Sequence, residues 1–213
     1  MTAETPSRRP RRKPGEAREA LVATARDVFV DVGYQGASLR QIAAKAGTTQ
    51  AILYRYFPSK AELFAESVLG PVQAFVQTLT DDWRQIPTAE VSTPDLIAGF
   101  TESIYDFAVT HRGLIAALLG AHAHGDGFTT DAKTSLTQTI NDLVGRGTEE
   151  AAGRGWADID VHVALPATMS LIISTALLND WLFPPALGLD RERILKELIR
   201  YEIRAITGGQ PPG

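Results

Sequence analysis

Two serine-led helix starts twenty-one residues apart, with a glycine stop between them, constrain this chain more than any other feature. Ser38 is followed three residues on by Gln41 and Ser59 by Glu62. At that spacing a serine hydroxyl and an amide or carboxylate side chain cap a helix N-terminus reciprocally. Between them Ile42, Ala43 and Ala46 give the first helix an apolar stripe, and Gly47 stands where that helix must stop, because glycine takes the left-handed conformation at no steric cost. Thr48 or Thr49 then recaps the chain. The spacing predicts two short helices, a tight turn and a third helix start within Gly36 to Phe64.

The middle helix of this set has one inward stripe, Ile52, Leu53 and Phe57, which leaves Gln50, Ala51, Tyr54 and Arg55 facing outward. Such a surface suits the major groove of DNA: Gln reads adenine, Arg reads guanine or grips phosphate, and Ala leaves room for a thymine methyl. The flanks agree. Arg8, Arg9, Arg11, Arg12 and Lys13 form a proline-bearing basic run that cannot enter a core but can follow phosphates. Residues 1–70 hold eleven Lys/Arg against seven Asp/Glu, a net of +4, whereas residues 71–213 hold ten against eighteen, a net of −8. The chain's net charge of −4 therefore hides a basic head on an acidic body, and the head is the nucleic-acid surface.

With these residues in place, the segment from about Arg18 to Val68 resembles the N-terminal domain of the TetR family of bacterial transcriptional regulators. The likeness is carried by DVGYQGAS, the AG turn, the LYRYF string and the PSKAEL helix start. It implies that the first helix packs beneath the other two, through Leu21, Ala25, Val28, Phe29 and Val32. It also implies DNA contact by Arg40, by Thr49, Gln50, Ala51, Tyr54 and Arg55, and by Lys60. Ser38 caps the first helix of the motif, which spans Ser38 to Phe57. Thr48 departs from the family, which usually places an apolar residue there, so the recognition helix is open to beginning one residue early. Arg40 and Gln50 suit base readout; Tyr54 and Lys60 suit phosphate; Arg55 suits either.

Beyond the head, about 140 residues suffice for a second compact unit. Helical patterning predicts a helix from Ser59 through Leu79, kinked or broken at Gly70 and Pro71, where proline removes a backbone donor. After a polar linker, Pro87 to Pro94, helices follow at Asp95–Thr110, Gly113–His124, about Thr129–Arg154, Val161–Phe183 and Asp190–Thr207. Strand signals are absent, so the expected fold is all-α. We expect a disordered basic arm at 1–15, a helix-turn-helix DNA-binding domain at 16–65, a helical effector-binding and dimerisation domain at 66–207 and a disordered tail at 208–213. The chain has no cysteine, and no apolar run follows its basic N-terminus, which gives a cytoplasmic expectation. No stretch approaches the length of a membrane span.

Val161–Phe183 is apolar nearly all round and must be covered on more than one face. The resemblance implies a homodimer through the last two helices, 161–183 and 190–207, and the DNA reading asks for the same, since paired recognition helices about 34–36 Å apart enter successive major grooves of a palindrome. It implies as well a pocket between helices for a small-molecule effector, apolar or amphipathic by the composition of the helices. Tyr105, His111, His122, Asn179 and Trp181 are the polar candidates to line it, with His124 beside them. His122, His124 and Asp126 invite a metal, but residues two apart on a helix diverge and no third ligand stands at a fixed spacing, so no metal and no cofactor is expected. No GxSxG, HExxH or P-loop is present, and no enzyme is expected. The reading is a dimeric, ligand-released repressor. Its alternatives are a small-molecule enzyme or metalloprotein carrying an N-terminal helical module, and an architectural DNA-binding protein that answers to no ligand.

Overall fold

A computed structural model describes residues 14–86, 90–125, 127–156 and 159–206, and among these no strand occurs. Residues 1–13 of the basic arm, 87–89 at the start of the linker, Asp126, 157–158 and 207–213 lie outside the described residues, and residues 14 and 15, expected in the arm, open the first helix. The fold is all-α. The head consists of α1 (Pro14–Gly36), α2 (Leu39–Lys45), α3 (Gln50–Tyr56) and α4 (Lys60–Phe64). A π turn (Ala65–Leu69) leads into α5 (Gly70–Gln85). Then come α6 (Thr93–Thr110), α7 (Arg112–Ala123), α8 (Thr130–Arg154), α9 (Val161–Leu177), α10 (Asn179–Leu182), a short 3-10 turn (Pro185–Leu187) and α11 (Arg191–Ile206).

The caps form as the spacing requires. Ser38 Oγ accepts from the Gln41 amide and Ser59 Oγ from the Glu62 amide, both at 3.1 Å. Leu21, Ala25, Val28 and Phe29 are buried in the cluster that also holds Ile42 and Leu63, but Val32 is 42% exposed, because α1 departs from helical geometry at Gly33 (φ 71°), one residue later. The head core does not end with the head. Leu114, Ala117 and Ala121 of α7 belong to the same apolar cluster as Ile42, Leu53 and Phe64. A Cβ on Gly113 would stand 2.6 Å from Val30 Cγ1, so glycine there allows α7 to lie close against α1.

Helical structure continues through Gly70 and Pro71, and the irregularity sits one turn earlier as the π turn. Its cause is the proline. Without an N–H, Pro71 cannot bond the Ser67 carbonyl one turn back. Arg26 Nε supplies the missing donor from α1, at 3.0 Å. The predicted helix over 161–183 divides at Leu178, where the Leu177 carbonyl accepts instead from Arg112 Nη2 at 2.9 Å.

The rest of the body packs α6 against α9 and α11, and α5 against α8. Ile104, Ile172 and Leu195 sit at the centre of one apolar cluster, and Val76, Trp83, Leu96 and Leu143 form another. One charged group is buried with its partners: Glu150, 1% exposed, lies 2.6 Å from Arg146 Nη2 and 2.5 Å from Arg154 Nε. These arginines also donate to the carbonyls of Trp83 and Val91, and so tie α8 to the end of α5 and the approach to α6.

Candidate nucleic-acid interface and interior cavity

The turn between α2 and α3 is closed by two backbone bonds. The Gly47 amide donates to the Ala44 carbonyl at 3.1 Å and the Thr48 amide to the Ala43 carbonyl at 3.0 Å, the paired pattern that ends a helix on a left-handed residue, here Gly47 at φ 69°. Thr48 thus spends its amide on the turn and is half-buried. Thr49 caps α3, its Oγ1 accepting from the Ile52 amide at 3.3 Å. The helix α3 therefore begins at Gln50.

Gln50, Ala51, Tyr54 and Arg55 are all exposed, as is Arg40 on α2, while Leu53 and Phe57 are fully buried. One face of α3 accordingly holds the head together and the other is presented to solvent. Ile52, read from the sequence as inward, is 36% exposed and adds an apolar side chain to the outer surface. Its missed signal is the buried pair at 53 and 57, since a residue adjacent to an inward position on a seven-residue helix rotates out by about 100°. Lys60 is held at the base of this surface: its Nζ lies 4.4 Å from the centre of the Tyr34 ring and donates to the Gln35 carbonyl at 3.4 Å. Arg18 of α1 reaches the π turn, pairing with Glu66 at 2.5 Å, and lies over the Phe57 ring.

Of the polar candidates in the body, Tyr105 and Asn179 line one pocket together with Arg112, Asp180 and Arg191, and His111, His122 and Trp181 stand apart from it. Tyr105 Oη donates to Asn179 Oδ1 at 3.4 Å, and burial raises the phenol's pKa above its ordinary value against the opposing pull of Arg191. His111 caps α6 with its ring 4.6 Å from that of Phe107. His122 is exposed with its ring edge toward Phe128, His124 Nδ1 meets the Gly120 carbonyl, and Trp181 is 84% exposed. Among the described residues no three metal-ligating side chains come together.

A more apolar pocket lies elsewhere in the body. A cavity of about 70 Å³ opens between α5, α6, α8, α9 and α11, walled by Trp83, Phe100, Trp156, Leu165 and Ile206. Thr168 of α9 and Glu202 of α11 are the polar side chains of its lining, Glu202 being 3% exposed. Burial pushes this acid up to about 7 against the lowering effect of a hydrogen bond with Thr101. Periodicity missed the residue because Glu202 and Thr101 are 101 positions apart.

Residues 21–67 match the bacterial regulatory proteins of the tetR family. Over 102 residues the chain is 34% identical to the HTH-type transcriptional activator FasR of Mycolicibacterium smegmatis, covering 47% of this chain and 45% of that protein. Over 63 residues it is 35% identical to the HTH-type transcriptional repressor BepR of Brucella suis biovar 1, covering 30% of each. The chain spans about half the length, or less, of these curated relatives. The fold extends further than the sequence likeness: the crystal structure of a TetR-like transcriptional regulator from Rhodococcus sp. RHA1 superposes with a TM-score of 0.63 at 21% identity, covering 94% of this chain and 100% of that one. Capped helices, a glycine turn and an outward polar face thus stand in the segment, residues 21–67, that is similar in sequence to the tetR family of bacterial regulatory proteins, and the all-helical body shares the fold of a TetR-like regulator.

Proposed function

We propose that this protein is a DNA-binding transcriptional regulator: a dimeric repressor that reads a palindromic operator and leaves it when a small molecule enters the body. The observation that carries the reading is the two-sided α3, buried at Leu53 and Phe57 and exposed at Gln50, Ala51, Tyr54 and Arg55, with Arg40 and Lys60 flanking it. In this reading residues 16–65 bind DNA and residues 66–207 bind the effector and a second copy. Support for the dimer comes from apolar side chains exposed on the last helices, Val163, Leu171, Leu178 and Leu182 on α9 and the segment after it, with Tyr201 on α11. A single chain leaves these uncovered, and a two-fold partner would bury them. Among the described residues no helix is long and apolar enough to cross a membrane.

The testing experiment is selection of bound duplexes from a random pool, followed by a salt series on the selected site. A palindrome with half-sites about one helical turn apart and a steep fall of affinity with salt is expected. A lone half-site counts against the dimer, and a flat salt response counts against DNA binding.

A further inference from the structure

The outward surface of α3 has an order that helix geometry fixes. At about 100° per residue, Gln50, Tyr54, Ala51, Arg55 and Ile52 follow one another around the helix, over an arc centred near Ala51 and facing away from Leu53. All five are exposed, while Leu53 is fully buried. Ile52 therefore forms one edge of the presented surface and Gln50 the other, with the smallest side chain between them. Two features hold Ile52 in place. Its amide donates to Thr49 Oγ1 at 3.3 Å, which sets it in the first turn, and its β-branch leaves one strongly preferred χ1 in a helix. The first residues of a helix docked in the major groove are those that reach base edges.

Charge says what kind of surface this edge meets. From Val32 to Ala61 the chain holds Arg40, Lys45, Arg55 and Lys60 and no acidic residue. Such a stretch suits a polyanion, and its cations can grip phosphate whatever the base sequence. An aliphatic side chain can do neither that nor hydrogen-bond a base. In the major groove the apolar feature it can meet is the C5-methyl group of thymine.

We infer that Ile52 is a specificity-determining residue that packs against the C5-methyl group of a thymine in the operator half-site. The inference rests on the DNA-binding reading above and adds to it a base that is read without a hydrogen bond. Ala51 beside it offers a single methyl group, which allows the helix to approach closely. The longer branched side chain of Ile52 reaches farther from the helix axis and covers more of a methyl group. Because its χ1 is already restricted, little rotamer freedom is lost on contact.

Thymine and uracil have the same hydrogen-bonding edges and differ by this methyl group alone, so the two bases isolate the contact. The duplex selected from the random pool is remade with deoxyuridine in place of thymidine, one position at a time, and titrated with the full chain and with Ile52→Ala. At one position, loss of the methyl group should weaken binding by the parent chain about threefold to fourfold. The two proteins should differ by a similar factor on the thymine duplex and bind the uracil duplex alike, because the variant has nothing left to lose there. Alanine is the better helix former, so the head of the variant keeps its fold, and its binding to the uracil duplex checks this. The inference is overturned if no position shows a methyl effect. It is overturned equally if the effect persists undiminished in Ile52→Ala, which would assign the methyl group to another side chain such as Ala51. A tightly bound duplex with a flat uracil scan sinks this inference alone, whereas failure to select any duplex sinks the DNA-binding reading and the inference with it.

Discussion

Arg26 donates to the Ser67 carbonyl at 3.0 Å, the acceptor that Pro71 leaves without its helical partner. A side chain of α1 thereby completes the helix that leaves the head, and joins the two at the point where the backbone departs from α geometry. The consequence is a coupling that a double-mutant cycle can read. Arg26→Ala should cost about 1 kcal/mol or more, because the carbonyl loses its donor. In a Pro71→Ala background, where the backbone N–H returns, the same change should cost less. Denaturant unfolding of the four proteins measures the difference; equal costs in both backgrounds would show that Arg26 contributes nothing through this bond.

The buried triad of α8 makes a prediction of larger size. Glu150→Ala leaves Arg146 and Arg154 facing each other, with side-chain exposures of only 10% and 8%. Removing one partner of a buried ion pair typically costs about 3–5 kcal/mol. The melting temperature should fall by many degrees. A change within the scatter of surface substitutions would mean that water reaches the cluster.

Glu202 predicts a pH dependence with a definite sign. Its pKa rises from the ordinary 4.5 to about 7 in the folded protein, so between those values the folded state holds a proton that the unfolded state has released. The acid's contribution to stability is therefore fully present below about pH 4.5 and is lost as pH rises toward 7. The loss is on the order of 3 kcal/mol for a shift of this size. Glu202→Gln removes the titration while preserving the bond to Thr101. Melting curves from pH 4.5 to 8 should show the variant matching the parent at the acidic end and exceeding it at the alkaline end. Parallel curves for the two proteins would place the carboxyl's pKa near its ordinary value.

In the head, base readout and phosphate contact separate by experiment. Gln50→Ala should erase discrimination of about 1–3 kcal/mol at one base step of the selected operator, and leave the salt slope unchanged. Lys60→Ala should weaken all duplexes alike and reduce that slope by about 1. Competition binding against operator variants at several salt concentrations distinguishes the two, and the reverse pattern would exchange the roles of these residues.

Local sequence determined the head because its signals act over one helical turn. Ser38, Gly47, Thr49 and Ser59 each set a boundary through a hydrogen bond or a dihedral angle within a few residues. The all-α fold was legible for the same reason. Contacts between distant segments decided the rest. Periodicity placed Val32 and Ile52 inward, and the turn at Gly33 and the rotation of α3 placed them outward. Proline chemistry marked residue 71, but the π turn stands one turn earlier, and the donor that meets the Ser67 carbonyl there comes from Arg26 of another helix. Polar residues in apolar helices suggested a lining of Tyr105, His111, His122, Asn179 and Trp181, of which Tyr105 and Asn179 meet at one pocket, whereas another formed around Glu202, Trp83 and Trp156. A cavity is a property of five helices meeting, and no spacing along one of them records which side chains line it where they meet.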